Sequence, residues 1–110
     1  DPVAACRRQE APFDHPVRAL WRAVRDGDVP DVRRLLVTLT PADLRLRSKT
    51  MGVTALHIAV NWGRLACAKE LLKAGADTHA PDHGGMEPHE AGSEVQGSRE
   101  CAKLVAGWKP

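Results

Sequence analysis

The chain has 110 residues, 43% of them hydrophobic and 27% charged, a balance that excludes disorder throughout and leaves room for one compact domain. Sixteen Lys and Arg against fourteen Asp and Glu leave +2, too weak a field to draw the protein onto nucleic acid or anionic lipid. No apolar run approaches the roughly 20 residues that cross a bilayer, so membrane insertion is not expected.

In chain order, residues 1–15 read as an N-terminal extension whose Val3, Phe13 and two prolines would cover one end of the fold. Val17, Leu20, Trp21 and Val24 follow at helical spacing, so a helix is predicted after the start signals Asp14 and Pro16, ending at Gly27. Asp28 can cap a second helix that tolerates Pro30 in its first turn and buries Val32, Leu35, Leu36 and Leu39. Thr40-Pro41-Ala42-Asp43 has the capping-box pattern and predicts an extra helical turn, after which Leu44-Arg45-Leu46-Arg47 alternates like a short extended segment. Thr54 caps a helix predicted to reach Trp62, Gly63 breaks the chain, and Leu65, Ala68, Leu71 and Leu72 line the next helix as far as Gly75. Asp77 to Gly85 reads as an exposed loop, and 108–110 as a tail in which Trp108 closes the stack or meets a partner.

These elements repeat. Laying Leu20–Leu36 over Leu56–Leu72 gives six identities in seventeen positions, all apolar or glycine, where packing is decided. Shifting Gly63–Leu72 by 34 matches Gly97, Cys101, Ala102 and Lys103, so the period is about 33 to 36 residues. Aromatic residues are only 4%, which favours thin layers of small helices over one large core.

Gly52-Val53-Thr54-Ala55-Leu56-His57-Ile58-Ala59 resembles the T-P-L-H-x-A signature of the ankyrin repeat, with Ala55 in the proline position. Gly63, Leu71-Leu72 and Gly75-Ala76-Asp77 then follow at that family's spacing. The resemblance covers residues 16–107, is densest over 50–80, and thins beyond Gly85, where Glu87-Pro88-His89-Glu90 replaces Thr54-Ala55-Leu56-His57. It implies an all-α fold: a short stack of helix-turn-helix units with extended connector tips, in repeats of about 16–49, 50–82 and 83–107. It further implies that Thr54 and His57 are staples bonded to backbone, that Gly63 and Gly75 serve the turns, and that Leu56, Leu71 and Leu72 form the buried seam.

The same resemblance places partner contacts on the connector tips and first helices. Here those positions are Arg18, Arg22 and Arg25, then Arg45, Arg47, Lys49 and Met51, then Asn61 and Trp62, then Asp77, His79 and His83. Trp62 stands where the family is normally polar and is read as an aromatic anchor. The expected partner is another protein with an acidic or mixed acidic and apolar surface; homo-oligomers and nucleic acid are not expected. An accessory or adaptor subunit of a larger complex is the leading expectation, with a free-standing regulatory inhibitor, or a fragment of a longer multidomain protein, as the alternative.

Other chemistry finds little footing. No phosphate-binding glycine loop, G-x-S-x-G or H-E-x-x-H occurs, so no enzyme, cofactor or metal is expected. His79, His83 and His89, with Cys101, are spaced across Pro81, Gly84-Gly85 and Pro88 and are read as loop histidines rather than a zinc set. Cys67 and Cys101 take equivalent positions and are read as small buried hydrophobes, while Cys6 lies outside the repeats with no assigned role. Three cysteines without a disulfide framework point to a reducing intracellular compartment. Asp1 in place of an initiator Met points to a processed product or a piece of something longer, which adds mitochondrion and plastid to cytoplasm and nucleus.

Overall fold

The structure, a computed structural model, describes residues 10–12 and 14–108. Val3, Cys6, Phe13 and the last two residues of the tail lie outside the described residues. Six α-helices and no strand occur among the described residues: α1 (Val17–Asp26), α2 (Val29–Leu36), α3 (Pro41–Leu44), α4 (Ala55–Trp62), α5 (Leu65–Lys73) and α6 (Ser98–Ala106). A 3-10 turn at Pro88–Glu90 precedes α6.

The helices form two rows. α1 packs on α4 and α4 on the 3-10 turn, giving a row of first helices; α2 packs on α5 and α5 on α6, giving a row of second helices. Each full unit is a hairpin, α1 with α2 and α4 with α5. The seam between rows holds Val17, Leu20 and Val24 from α1, Leu56, Ala59 and Val60 from α4, Leu71 and Leu72 from α5, and Cys101 and Val105 from α6. Burial of each large aliphatic side chain contributes about 1.5–3 kcal/mol, and no hairpin could hide these groups alone.

Local chemistry sets the helix boundaries. The Thr40 hydroxyl accepts from the Asp43 amide at 3.2 Å while the Asp43 carboxylate accepts from the Thr40 amide at 2.8 Å, a reciprocal cap that forms α3. That turn absorbs Leu44, so the extended segment expected over 44–47 shrinks to one parallel bridge between Glu10 and Arg47. Asp28 caps α2 through the Asp31 amide at 3.2 Å, but only Val32 of that helix is fully buried; Leu35, Leu36 and Leu39 are half-buried because α2 lies at the end of its row. At α1 Pro16 is the cap residue, and the His15 ring accepts from the Val17 amide at 3.0 Å. Glu10 and Ala11 run beside Arg47, and Ala11 is buried, so residues just before the first helix pack on the first unit.

The third unit departs from the first two. Pro88 stands in the signature's proline position, where it suits a first turn, but His89 stands where a core leucine would be, and a single 3-10 turn replaces the first helix. Two serines make up part of the difference. Ser98 Oγ donates to the Val60 carbonyl at 2.7 Å and Ser93 Oγ to the Asn61 carbonyl at 2.6 Å, satisfying acceptors at the end of α4. The backbone fits closely there: a Cβ on Gly63 would lie 2.2 Å from the Gln96 carbonyl oxygen, and Gly63 itself has φ +68°. Arg64 repeats the device one unit earlier, its Nε donating to the Arg25 carbonyl at 3.0 Å.

Candidate partner-binding groove

The exposed side of the first-helix row carries two neighbouring hollows. One, of about 270 Å³, is lined by Arg18, Trp21, Arg22 and Arg25 from α1 and by Ile58 and Trp62 from α4. Arg18 sits over the Trp21 ring with its guanidinium carbon 5.8 Å from the centroid, a cation–π contact. Arg25 pairs with its neighbour Asp26 at 3.3 Å, both exposed. The second hollow, of about 360 Å³, is lined mainly by Met51, Val53, Ile58, Asn61, Trp62, Met86 and Ala91, with His57 and Asp82 at its back. Ile58 and Trp62 belong to both, so these two side chains stand at the border between a basic hollow and a more apolar one.

Exposure singles out the same surface. Among the described residues the most exposed large apolar side chains are Val37, Met51, Trp62, Met86 and Val95, and three of these five line the second hollow. Trp62 keeps 42% of its surface in water although it closes α4. Buried apolar positions are explained by packing; this concentration of uncovered ones is not.

His57 fastens the back wall. Its Nδ1 accepts from the Thr54 amide at 3.1 Å, lies 2.9 Å from the Thr54 hydroxyl, and leaves Nε2–H to donate to the Met86 carbonyl at 2.8 Å. One ring thus caps α4 and pins the loop of the following unit. Burial pushes the His57 pKa down, partly offset by the Met86 carbonyl and by Asp82, with Arg47 adding to the depression. Thr54 is itself buried, so the hydroxyl and imidazole pair is held inside the fold.

The remaining expected contact residues are distributed along the tips. Lys49 is exposed in the turn between Ser48 and Val53. Arg45 and Asp77 meet at 3.9 Å, an exposed pair, and His79 bonds Glu87 at 2.5 Å. His83 stacks over Gly52, where a Cβ would come within 2.3 Å of its ring, and its amide donates to the Met51 carbonyl. Arg47 is a correction: at 9% exposure it is buried, and its carbonyl accepts from the Ala11 amide, so it supports the first unit rather than offering a surface charge. Sequence reasoning did not assign Trp21, Ile58, Val53, Met86 or Ala91 to this surface. Trp21 and Ile58 carried a helical signal that reads equally as core; Met86 lies in a loop with no periodicity.

The histidines and Cys101 do not form one convergent set. Glu87, His89 and Glu90 place one donor atom each within 4.8 Å, an exposed to half-buried grouping in which Glu87 is already held by His79 and Glu90 accepts from the Glu87 amide. Cys67 and Cys101 are free and buried; burial raises both thiol pKa values, that of Cys101 to about 11, with Cys67 nearby. No helix among the described residues is long and apolar enough to cross a membrane.

Two rows of short helices with an open face on the first-helix side define a helical repeat protein that offers a surface for other proteins. A family model for ankyrin repeats in three copies matches residues 10–82, and the chain belongs to that family. Over 60 residues it is 43% identical to the zinc finger CCCH domain-containing protein 24 of Oryza sativa subsp. japonica, covering 52% of this chain and 8% of that protein. Over 65 residues it is 38% identical to protein phosphatase 1 regulatory subunit 27 of Homo sapiens, covering 59% of this chain and 41% of that protein. Over 53 residues it is 38% identical to the inhibitor of Bruton tyrosine kinase of Xenopus laevis, covering 48% and 4%. The chain therefore spans less than half the length of each of these relatives.

Proposed function

We propose that this chain is a non-enzymatic adaptor or accessory subunit that holds another protein against its first-helix face, with Trp62 as anchor and the α1 arginines as the acidic-surface reader. The observation that carries the reading is the gathering of Met51, Trp62 and Met86, uncovered, beside Arg18, Arg22 and Arg25. An exposed tryptophan costs solubility when nothing covers it, and tryptophan and arginine dominate binding hot spots. Three arginines facing one hollow complement an acidic partner and speed its approach.

Co-purification followed by mass spectrometry identifies the partner, and titration of that purified partner against Trp62→Ala tests the groove. Affinity is expected to fall at least tenfold, about 1.4 kcal/mol or more, with helicity unchanged. Unchanged affinity rejects the groove reading. The names of two relatives, a regulatory subunit and an inhibitor, favour a second reading in which the chain masks a partner's surface. A stoichiometric complex that survives purification supports the subunit role; a stable monomer whose partner loses activity on binding supports the regulatory one.

A further inference from the structure

We propose that the groove reads a short peptide carrying two acidic residues at alternate positions and, beyond them, one bulky aliphatic or aromatic side chain. The proposal rests on the binding surface argued above and specifies its ligand.

Because the two hollows share Ile58 and Trp62, a ligand crossing from one to the other passes over these two side chains. The chemistry of the hollows differs on the two sides of that border. The first is walled by Arg18, Arg22 and Arg25, with no acidic side chain among the described residues that line it. The nearest acid in sequence, Asp26, engages Arg25 in an exposed pair of the kind that contributes little and exchanges readily. The second is walled by methionine, valine, isoleucine and tryptophan. Its one carboxylate, Asp82, is occupied by its own loop, accepting from the Gly84 amide at 2.8 Å and the Met86 amide at 2.9 Å. A ligand with charge at one end and apolar bulk at the other matches both, whereas a uniformly acidic or uniformly apolar one wastes half of the surface.

Spacing follows from backbone geometry. Helical residues rise 1.5 Å each, so the guanidinium-bearing positions 18 and 22 are about 6 Å apart along α1. An extended peptide rises about 3.3 Å per residue with alternate side chains on one face, so acids two apart repeat at about 6.6 Å and meet both arginines. The apolar side chain lies beyond the acidic pair, where the chain leaves α1 and crosses α4 at Ile58 and Trp62. Methionine thioethers at the second hollow suit several bulky side chains equally, so the apolar position is specified by size rather than identity.

The test uses the full chain and a set of blocked peptides of about nine residues on a Gly/Ser background. One carries two aspartates at alternate positions with a leucine beyond them. The others replace the aspartates by lysine, the leucine by glycine, or both. A single-stranded RNA of similar length is the remaining probe, since arginines beside indoles can also stack bases. The complete peptide is expected to bind at least tenfold tighter than any incomplete one, with the aspartate-dependent part weakened by salt. Arg22→Glu should remove the preference for aspartate and keep that for leucine; Trp62→Ala should do the reverse, both with wild-type circular dichroism. Equal binding of the peptides, binding of none, or tighter binding of the RNA overturns the motif. The same variants titrated with the purified partner separate the two conclusions: loss of the partner together with indifference to peptide sequence removes the motif alone, and retention of the partner removes the groove as well.

Discussion

At the scale of single residues, His57 holds more than any other side chain. It is 1% exposed, and its Nδ1 must stay unprotonated to accept from the Thr54 amide while Nε2–H serves the Met86 carbonyl. Its pKa in the folded chain lies below the ordinary value of about 6.5, chiefly because burial disfavours the cation. Between those two values the unfolded chain binds more protons than the folded one, so stability falls as pH is lowered through that window and is intact above about pH 6.5. Urea midpoints measured near pH 7.5 and 5.5 should show a larger acid loss for the wild type than for His57→Leu, which lacks the titration. At the higher pH His57→Leu should itself cost about 1–3 kcal/mol, because it strands the Thr54 amide. Gly63 presents a different constraint. Gly63→Ala meets both a φ of +68° and the Gln96 carbonyl at 2.2 Å, whereas Gly85→Ala has φ +82° and open space. The second should cost about 1–2 kcal/mol and the first at least twice that, read from the same urea curves.

Between elements, the decisive contacts run from the start of one second helix back to the end of the preceding first helix. Arg64 bonds the Arg25 carbonyl and Ser98 the Val60 carbonyl, so each unit finishes the helix end of the one before. Ser98→Ala leaves the Ser93 amide without its acceptor, at 2.8 Å, and removes one donor from Val60; a loss of about 1–2 kcal/mol is expected, with faster amide exchange concentrated in α6. The hairpins and the α3 cap were legible because apolar spacing and the Thr40/Asp43 and Thr54/His57 pairs act within a few residues of each other. What escaped the sequence acts across units. Ser93 and Ser98 look like ordinary loop and helix-start residues until α4 is beside them, and Arg47 reads as surface charge until Ala11 is seen pairing with its backbone. Part of the hollows' lining was legible in the same sense: the α1 arginines and Trp62 announce themselves by pattern and by rarity, whereas Met86 lies in a loop whose backbone is held by His57 and Asp82.

At the scale of the whole molecule, an array whose units touch only their neighbours unfolds in steps when an end unit is weak. The third unit is such an end: α6 is supported by α4 and α5 on one side, and its own first helix is reduced to one 3-10 turn. Cys101 lies in α6 and Cys67 in α5, which is flanked by both α2 and α6, so the two thiols report different openings of one chain. Both are buried, with thiol pKa values pushed up by burial, so neither should react with a disulfide reagent near neutral pH until its unit opens. In a Cys6→Ser background, Cys101 should be labelled through an opening that depends weakly on urea and costs less than global unfolding. Cys67 should be labelled only with the urea dependence of the whole stack. Ser98→Ala should accelerate Cys101 markedly more than Cys67, since it loosens α6 against α4. Identical rates and urea dependences at both sites would mean that the serine bonds weld the shortened unit to the hairpin before it, and that the array unfolds as one cooperative body.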